Sequence, residues 1–424
     1  MERVPSPASQ PDSSRPGKRM PRILMYSHDT YGLGHIRRSR AIANSLVAAH
    51  GDVSVLIISG SSLAGSFNFA PGIDFVHVPG IAKSENGSYA SANLRLDLHE
   101  VTAIRESLIR QTAEAFRPDI FIADKEPAGF RGELVPSLKL MGTMGTRRII
   151  GVRDVLDSPE IIRAEWHDKG AVRAMTDYYD DVLVYGSEEF YRPLDAMPMP
   201  ADLHSRIVYT GYLRRSVPSG NSGVRYPRST KGPFILVTTG GGADGAGLID
   251  WVISAYEADP GIPLPAVIAF GPFLSNTQRS QFQERIDRLA KVDSIVFDPK
   301  IERLMSRASA VVAMGGYNTF CEILSFDKPA LLVPRSRPRQ EQLIRATRAE
   351  QLGLMRMLLD PVEDGATSRD PAVMARALAA LCEQAPPSKS ASPGMLEGLA
   401  SISNHLAPYI DGPGALNASL SVGG

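Results

Sequence analysis

Short apolar runs alternate with amphipathic stretches along most of the chain. Runs such as Ile23–Tyr26 and Val53–Ile58 stop abruptly at polar residues, as buried parallel strands do. Between them, apolar residues recur with helical spacing, for example over residues 36–47. Strands that alternate with helices form βαβ units, so the pattern predicts parallel sheets with helices on both faces.

The alternation runs twice through the chain and is interrupted near residues 212–232. That segment is rich in Ser, Pro, Gly and Arg and has no apolar period, which is typical of a linker. We therefore predict an α/β protein of two tandem doubly wound, Rossmann-like domains that face a cleft. The expected divisions are a disordered tail at 1–20, a first domain at 21–212, a second domain at 213–394, a helix at 395–410 that packs back on the first domain, and a flexible tail at 411–424.

The pattern also predicts individual elements. A single helix is expected near residues 159–176, and a long one ends at Arg117, before Pro118. The expected strands of the first domain are 23–26, 53–58, 73–78, 119–123, 148–152 and 181–185, and those of the second are 234–238, 266–270, 294–297, 310–313 and 330–333.

Composition narrows the class of protein. The 424 residues carry 46 Lys and Arg against 46 Asp and Glu, which argues against a general nucleic-acid binder. Two cysteines exclude a disulfide framework and a multi-cysteine metal site. No stretch reaches ~18 uninterrupted apolar residues, and the N-terminal segment has no apolar centre typical of a secretory signal. The expectation is a soluble, cytoplasmic protein.

Three glycine-containing loops stand where a predicted strand gives way to a helix. They are Gly32–His35, Gly240–Ala246 and Gly315–Thr319. Glycine lets the backbone approach a ligand closely, and a helix N-terminus attracts anions. Two loops lie in the second domain, so we expect a diphosphate there, although turns favour glycine in any case. Neither the GxGxxG fingerprint nor a P-loop is present, since Arg37 occupies the third glycine position.

His35 and Asp124 are the candidate catalytic residues. His35 begins a helix at the cleft and can act as a general base, and Asp124 follows a strand at the same edge and can hold the imidazole in one tautomer. The simpler alternatives are a packed histidine and an aspartate that caps a turn. His28 and Asp29 are rivals for both roles.

The second domain carries polar candidates beside its glycine loops. Glu322 can accept both hydroxyl protons of a ribose, and Gln342, beside Glu341, suits sugar hydroxyls. The run Arg335, Arg337 and Arg339 can face phosphate. The simpler alternative for Glu322 is an acidic residue that stabilises a helix start, and the simpler alternative for the arginine run is a solvated charged loop.

These motifs resemble the GT-B glycosyltransferases, and within them family 28, whose best-known member is the N-acetylglucosaminyltransferase of peptidoglycan lipid-intermediate synthesis. The resemblance covers nearly the whole chain after the tail. It rests on YGLGHIRRSRAIANSL, YTGYLRR, FILVTTGGGADGA, and IERLMSRASAVVAMGGYNTFCEIL followed by KPALLVPRSRPRQEQLIRA.

The resemblance implies roles for particular residues. It places Glu322 on the ribose of a nucleotide sugar, Glu341 and Gln342 near the donor sugar, and His35 near the acceptor. It places the diphosphate beside the two glycine loops of the second domain. The residues predicted to bind there are Gly241, Gly242, Gly315, Gly316, Asn318 and Thr319. Tyr31 before the first loop, Ala243–Asp244 in the second and Tyr317–Asn318 in the third depart from the family pattern and indicate a branch separate from the peptidoglycan enzyme.

The predicted activity is inverting, metal-independent transfer of a hexosyl or N-acetylhexosaminyl group from a nucleoside diphosphate sugar, UDP-linked, in a bacterial protein. No cofactor is expected beyond the donor, and no metal site, since no Asp-x-Asp motif of the donor-binding kind is evident. The acceptor is open: a polysaccharide, a lipid-linked or a small molecule. An apolar loop with Leu63, Phe67 and Phe69 leaves peripheral membrane contact open. The alternatives are a UDP-sugar 2-epimerase, a nucleotide-sugar hydrolase, and a non-catalytic nucleotide-sugar-binding protein.

Overall fold

The structure is a computed structural model and describes residues 20–28, 34–66, 69–83, 89–218, 223–242, 244–363 and 365–411, without the side chain of Lys83. Its strands are β1 Arg22–Ser27, β2 Ser54–Ser59, β3 Ile73–His77, β4 Ile81–Lys83, β5 Tyr89–Ser91, β6 Ile120–Asp124, β7 Arg147–Arg153, β8 Asp181–Tyr185, β9 Ile207–Tyr209, β10 Ile235–Thr238, β11 Ala266–Ala269, β12 Val292–Ile295, β13 Ala310–Ala313, β14 Ala330–Leu332 and β15 Arg356–Met357.

The helices cover the faces of the sheets. They are α1 Gly34–His50, α2 Leu98–Phe116, α3 Val135–Thr143, α4 Pro159–Asp168, α5 Ala171–Tyr178, α6 Ala201–His204, α7 Ala246–Ala258, α8 Asn276–Ile286, α9 Glu302–Arg307, α10 Tyr317–Ser325, α11 Glu341–Gln351, α12 Pro371–Ala380 and α13 Gly398–Ile410.

Two parallel sheets confirm the predicted α/β architecture. The first has the strand order β3-β2-β1-β6-β7-β8-β9 and the second β12-β11-β10-β13-β14-β15, and β4 and β5 form a separate antiparallel pair. Both main sheets reverse their strand order once, between β1 and β6 and between β10 and β13. In such sheets ligands bind beyond the carboxyl ends of the strands at this reversal. The fold therefore provides two binding edges.

Aromatic packing joins the two halves beside the linker. Tyr212 packs edge-on against Phe320 of α10 at 5.1 Å between ring centroids, and Phe190 packs against both. These rings belong to a buried cluster that includes apolar residues of both sheets. Apolar packing therefore helps to hold the two halves of the chain together.

The C-terminal helix returns to the first half of the chain. His50, the last residue of α1, lies 2.9 Å from Ser403 of α13 by Nε2 and 2.9 Å from Asp411 by Nδ1. The predicted helix at 395–410 thus corresponds to α13 and contacts the first domain. The predicted tails fall almost wholly outside the described residues.

Several predicted elements are wrong in detail. The single helix at 159–176 is two helices, because Gly170 takes a left-handed φ of 59° between α4 and α5. The strand predicted at 294–297 lies two residues earlier, as β12. In the apolar loop, Leu63 and Phe69 are half-buried, Phe69 packs against the Phe75 ring at 5.4 Å, and Phe67 lies outside the described residues, so peripheral membrane contact stays a prediction. Among the described helices, none combines the length and apolarity needed to cross a bilayer.

Candidate active site

The two predicted catalytic residues meet at the reversal point of the first sheet. β1 leads into α1, which begins one residue before His35, and Asp124 is the last residue of the neighbouring strand β6. Tyr26 of β1 pairs in register with Ala123 of β6, so the two strands end at the same edge of the sheet. Gly32, Leu33 and the rival Asp29 lie outside the described residues.

A short hydrogen bond joins the pair. His35 Nδ1 lies 2.8 Å from Asp124 Oδ2, and the Arg38 guanidinium donates to both carboxylate oxygens at 2.7 and 2.6 Å. Arg38 Nη2 also lies 3.1 Å from His35 Nδ1, but this nitrogen donates its hydrogens to the two Asp124 oxygens. An ionised carboxylate only accepts, so Nδ1 carries the proton and Nε2 is left with a free lone pair. The carboxylate is directed at His35 and Arg38, and its contacts do not include the turn amides that a cap would accept from.

The electrostatics keep this arrangement ready to accept a proton. Burial lowers the pKa of His35 to about 4, although Asp124 opposes the shift. Burial would raise the pKa of Asp124, but the adjacent Arg38 and His35 hold it well below its usual range. At neutral pH the site therefore holds a neutral imidazole beside an ionised carboxylate, the states a general base requires.

The rival His28 belongs to a different buried network. Its Nδ1 lies 3.1 Å from the Tyr26 hydroxyl, which donates to Glu133 at 2.6 Å. Arg105 in turn donates to both oxygens of Glu133 at 2.6 Å. Burial lowers the pKa of His28 well below its usual value, and the His35 ring lies 5.9 Å away. Among the described residues no carboxylate is hydrogen-bonded to His28, so the geometry favours His35 as the base.

The glycine loops of the second domain occupy the reversal point of the second sheet, after β10 and β13. Gly241 and Gly316 line the cleft, whereas Gly242 and Gly315 lie behind it. Gly242 has a φ of +90°, and a Cβ there would stand 2.3 Å from the Phe270 carbonyl oxygen. The second pair therefore shapes the turns, and its predicted contact with a diphosphate stays a prediction.

The start of α10 brings three further candidates to the cleft. Gly316 is its N-cap, and Asn318 and Thr319 follow in the first turn. The Asn318 amide is already used, because Nδ2 donates to the Gly34 carbonyl at 3.1 Å and Oδ1 accepts from Arg215 at 2.8 Å. Asn318 thus joins the two domains, and the backbone N–H groups of the first turn are the donors left for an anion.

Glu322, predicted to bind a ribose, faces a cation from the other domain. Its carboxylate accepts a hydrogen bond from Arg37 of α1, which also donates to Glu302 of α9 at 2.9 Å. Glu322 is 1% exposed. Burial and the neighbouring Glu302 raise the pKa of Glu322 despite Arg37. Both Arg37 and Glu322 line the cavity, so a ribose that hydrogen-bonds to this carboxylate would compete with Arg37 for it.

The first turn of α11 carries the predicted sugar-binding pair. Glu341 accepts from Arg153 of the first domain at 2.6 Å and lies 3.5 Å from Arg335. Burial would raise the pKa of Glu341, and Arg153 is the main cause that holds it at about 2 instead. Gln342 accepts from the Arg335 backbone N–H at 3.3 Å.

The predicted arginine run divides between the cleft and the domain contact. Arg335 lines the cleft and pairs with Asp244 at 2.7 Å, whereas Arg339 pairs with Asp157 and Glu165 of the first domain. The backbone N–H of Arg337 lies 3.2 Å from Glu363. Within the described chain, Arg335 is thus the member of the run placed to meet a phosphate.

All these groups surround one cavity of about 240 Å³ between the domains. Its wall includes seven of the nine predicted binding residues and His35, whereas Asp124 lies directly behind His35. The lining includes Gly34, His35, Arg37, Arg38, Arg153, Gly241, Asp244, Gly316, Asn318, Thr319, Glu322, Arg335, Glu341 and Gln342.

Sequence reasoning missed the partners from the first domain. Arg38 stands three residues after His35, a helical spacing that puts both on one face and that could have been recognised. Arg37 and Arg153 gave no signal, because their partners lie 285 and 188 residues away in the other domain. In the described part of the chain, no three His, Cys, Asp or Glu side chains form a group that could hold a metal ion.

Residues 234–367 match the family model described as Glycosyltransferase family 28 C-terminal domain. The second domain is therefore similar to the C-terminal domain of family 28 glycosyltransferases over these residues. The match includes both of its glycine loops, Glu322 and the Glu341–Gln342 pair. It thus supports a glycosyltransferase and the resemblance drawn from the sequence.

Solved structures with the same fold extend over the whole chain. The calicheamicin glycosyltransferase CalG4 is 17% identical, with a TM-score of 0.59, covering 93% of this chain and 99% of its own. MurG of Acinetobacter baumannii is 14% identical, with a TM-score of 0.51 and coverages of 92% and 99%. A putative UDP-N-acetylglucosamine 2-epimerase of Listeria monocytogenes is 11% identical, with a TM-score of 0.59 and coverages of 93% and 97%. The two domains together therefore have the GT-B fold. No curated protein sequence matches the chain significantly.

Proposed function

We propose that this protein is an inverting, metal-independent glycosyltransferase that moves a hexosyl or N-acetylhexosaminyl group from a UDP-linked sugar to a hydroxyl acceptor. One observation carries the proposal: His35 of the first domain, hydrogen-bonded to Asp124 behind it, and the candidate donor-binding residues of the second domain line a single cavity. A donor held by the second domain therefore lies beside a base held by the first. Interdomain clefts are common sites for such ligands.

The donor takes the second-domain wall. Glu322 accepts hydrogen bonds from the ribose hydroxyls once Arg37 leaves it, and Glu341 and Gln342 lie where the sugar would be held. The diphosphate rests on backbone N–H groups beside Gly241 and at the first turn of α10, where the helix dipole favours negative charge. Uracil is proposed as the base of the donor from the resemblance to family 28 and from the putative UDP-N-acetylglucosamine 2-epimerase of the same fold.

The acceptor approaches from the first domain. Its hydroxyl oxygen attacks the anomeric carbon, its proton passes to His35 Nε2, and the bond from the anomeric carbon to the phosphate oxygen breaks. The electron pair leaves with the diphosphate, and a single displacement inverts the anomeric configuration. Asp124 positions His35 and stabilises the imidazolium that forms. Helix N-termini and Arg335 stabilise the leaving group, so the step draws on no metal ion.

The test has two stages. A thermal-shift panel of UDP, GDP, ADP, CDP and dTDP identifies the nucleotide, with UDP expected to raise the melting temperature most. The corresponding UDP-sugars are then incubated with candidate acceptors, and the products are examined by NMR for the configuration at the anomeric carbon. Transfer with inversion supports the proposal. Interconversion of UDP-sugars without acceptor identifies an epimerase, release of free sugar alone a hydrolase, and binding without turnover across the panel a non-catalytic protein.

A further inference from the structure

The cleft has no surplus positive charge for the diphosphate that the proposed function requires. The described cavity wall holds four arginines, Arg37, Arg38, Arg153 and Arg335, and each is paired with a carboxylate. Four carboxylates, Asp244, Asp298, Glu322 and Glu341, line the same wall. A nucleoside diphosphate adds at least two negative charges, and an arginine released from its ion pair would add to the neutralisation by backbone N–H groups and Arg335.

Arg37 is the cation whose partner the donor itself would remove. Its guanidinium is hydrogen-bonded to Glu322, the carboxylate that the ribose hydroxyls need. The other three pairs contain no group assigned to the ribose: Arg38 holds Asp124, and Arg153 and Arg335 hold Glu341. Arg37 comes from α1 of the first domain, and its long side chain can swing while the helix stays in place.

We infer that Arg37 is a displaceable counter-ion, and this rests on the function proposed above. In the donor-free protein Arg37 neutralises Glu322. When the ribose hydroxyls take that carboxylate, the freed guanidinium turns to the adjacent diphosphate and stabilises the charge that grows on it as the sugar leaves. The donor thus exchanges one ion pair for another, and Arg37 becomes a specificity residue for a nucleoside that carries phosphates.

The inference separates two ligands that share a ribose. Uridine offers the ribose but no phosphate, so it only displaces Arg37. UDP displaces Arg37 and then binds it. Arg37→Met keeps the apolar stem and removes the charge, so it should lower the affinity for UDP relative to uridine. The ratio of the uridine Kd to the UDP Kd is expected to fall by about 10- to 100-fold, as the loss of a charge-assisted hydrogen bond implies.

A second variant protects the test against misfolding, because Arg37→Met removes the cation to which the buried Glu302 and Glu322 are both hydrogen-bonded. Arg37→Met combined with Glu302→Gln restores the charge balance and is compared with Glu302→Gln alone. Arg40→Met is the matched control, since Arg40 is a half-buried arginine one turn further along α1 that does not line the cavity. Calorimetry measures UDP, and ligand-observed NMR measures uridine.

The ratio decides among the possible roles. A fall in the ratio in both Arg37 variants, with the Arg40 control unchanged, supports the exchange. Tighter binding of both ligands by one common factor shows that Arg37 only blocks the site, and weaker binding of both by one factor shows a structural role; either result overturns the inference. If the wild-type protein binds neither UDP nor any other nucleotide of the panel, the proposed function fails instead.

Discussion

Replacing Asp124 by asparagine tests how the first domain prepares its base. In the wild type, the Asp124 carboxylate accepts from His35 Nδ1 at 2.8 Å and from Arg38. An asparagine has one acceptor and one donor in the same space. Arg38 can only donate, so it claims the amide oxygen and leaves the amide NH₂ facing His35 Nδ1. The imidazole then places its proton on Nε2, the atom that has to accept the proton of the substrate.

The size of the effect follows from that change of tautomer. General-base assistance is typically worth ~10²–10⁴ in rate, which is about 3–5 kcal/mol of activation free energy. Asp124→Asn should lower the turnover rate by this factor. Donor affinity should stay near the wild-type value, because the donor is held by the other domain. It should also cost stability, since Arg38 is 2% exposed and loses its ionic partner. Breaking a buried pair of this kind costs ~3–5 kcal/mol when the partner is removed outright, and less when asparagine retains one acceptor.

The assay combines turnover with a direct view of the tautomer. Histidine ¹⁵N shifts distinguish Nδ1–H from Nε2–H without any acceptor substrate. Asp181→Asn is a matched control, because Asp181 is a buried carboxylate at the opposite edge of the same sheet that Arg147 contacts twice at 2.7 Å. The control should lose stability but keep the His35 tautomer and the turnover. If Asp124→Asn keeps the wild-type tautomer and full turnover, Asp124 does not position the base and the reasoning is refuted.

Four further predictions follow from the same geometry. His35→Ala should lower turnover by ~10²–10⁴ with an unchanged UDP Kd, and near-full turnover would move the base to another residue. The acid limb of kcat/KM should lie near pH 4, because the pKa of His35 is lowered to about 4 and activity is lost only as the pH falls through that value; a limb near pH 6.5 would mean an unperturbed base. Glu322→Ala should weaken UDP binding by ~1.5–3 kcal/mol in calorimetry, whereas equal affinities would remove Glu322 from the site. Asp154→Asn should lower the free energy of unfolding by up to ~3–5 kcal/mol in a denaturant titration, because Arg345 and Asp154 form a fully buried pair between the domains at 2.7 Å; an unchanged midpoint would show that the pair contributes nothing.

The sequence was sufficient for features that depend on one sheet. Apolar runs predict the two parallel sheets, and the rule that ligands bind beyond strand ends places His35 and Asp124 at one edge from the sequence alone. The same rule brought both glycine loops of the second domain together. Within a loop, however, periodicity does not distinguish a glycine that faces a ligand from one that shapes the turn. Gly241 and Gly242 are adjacent and differ in this respect because of the carbonyl oxygen of Phe270.

Contacts between the domains could not be predicted from the local sequence pattern. The partners of Glu322 and Glu341 are arginines from the other half of the chain, and nothing in the local pattern indicates which surfaces meet. Arg37 was noticed only because it replaces a glycine of another motif. The break between α4 and α5 was also missed, since the apolar spacing continues through Gly170 while its backbone conformation does not.

A crystal structure of the protein with UDP would show whether the donor binds between the domains as proposed. We expect UDP in the interdomain cavity, with both ribose hydroxyls within hydrogen-bond distance of Glu322, the β-phosphate at the first turn of α10, and the His35 ring facing the open end of that phosphate. We also expect the Arg37 guanidinium to have moved from Glu322 to the diphosphate. UDP bound outside this cavity, or bound within it while its ribose makes no contact with Glu322, would refute the proposed donor site.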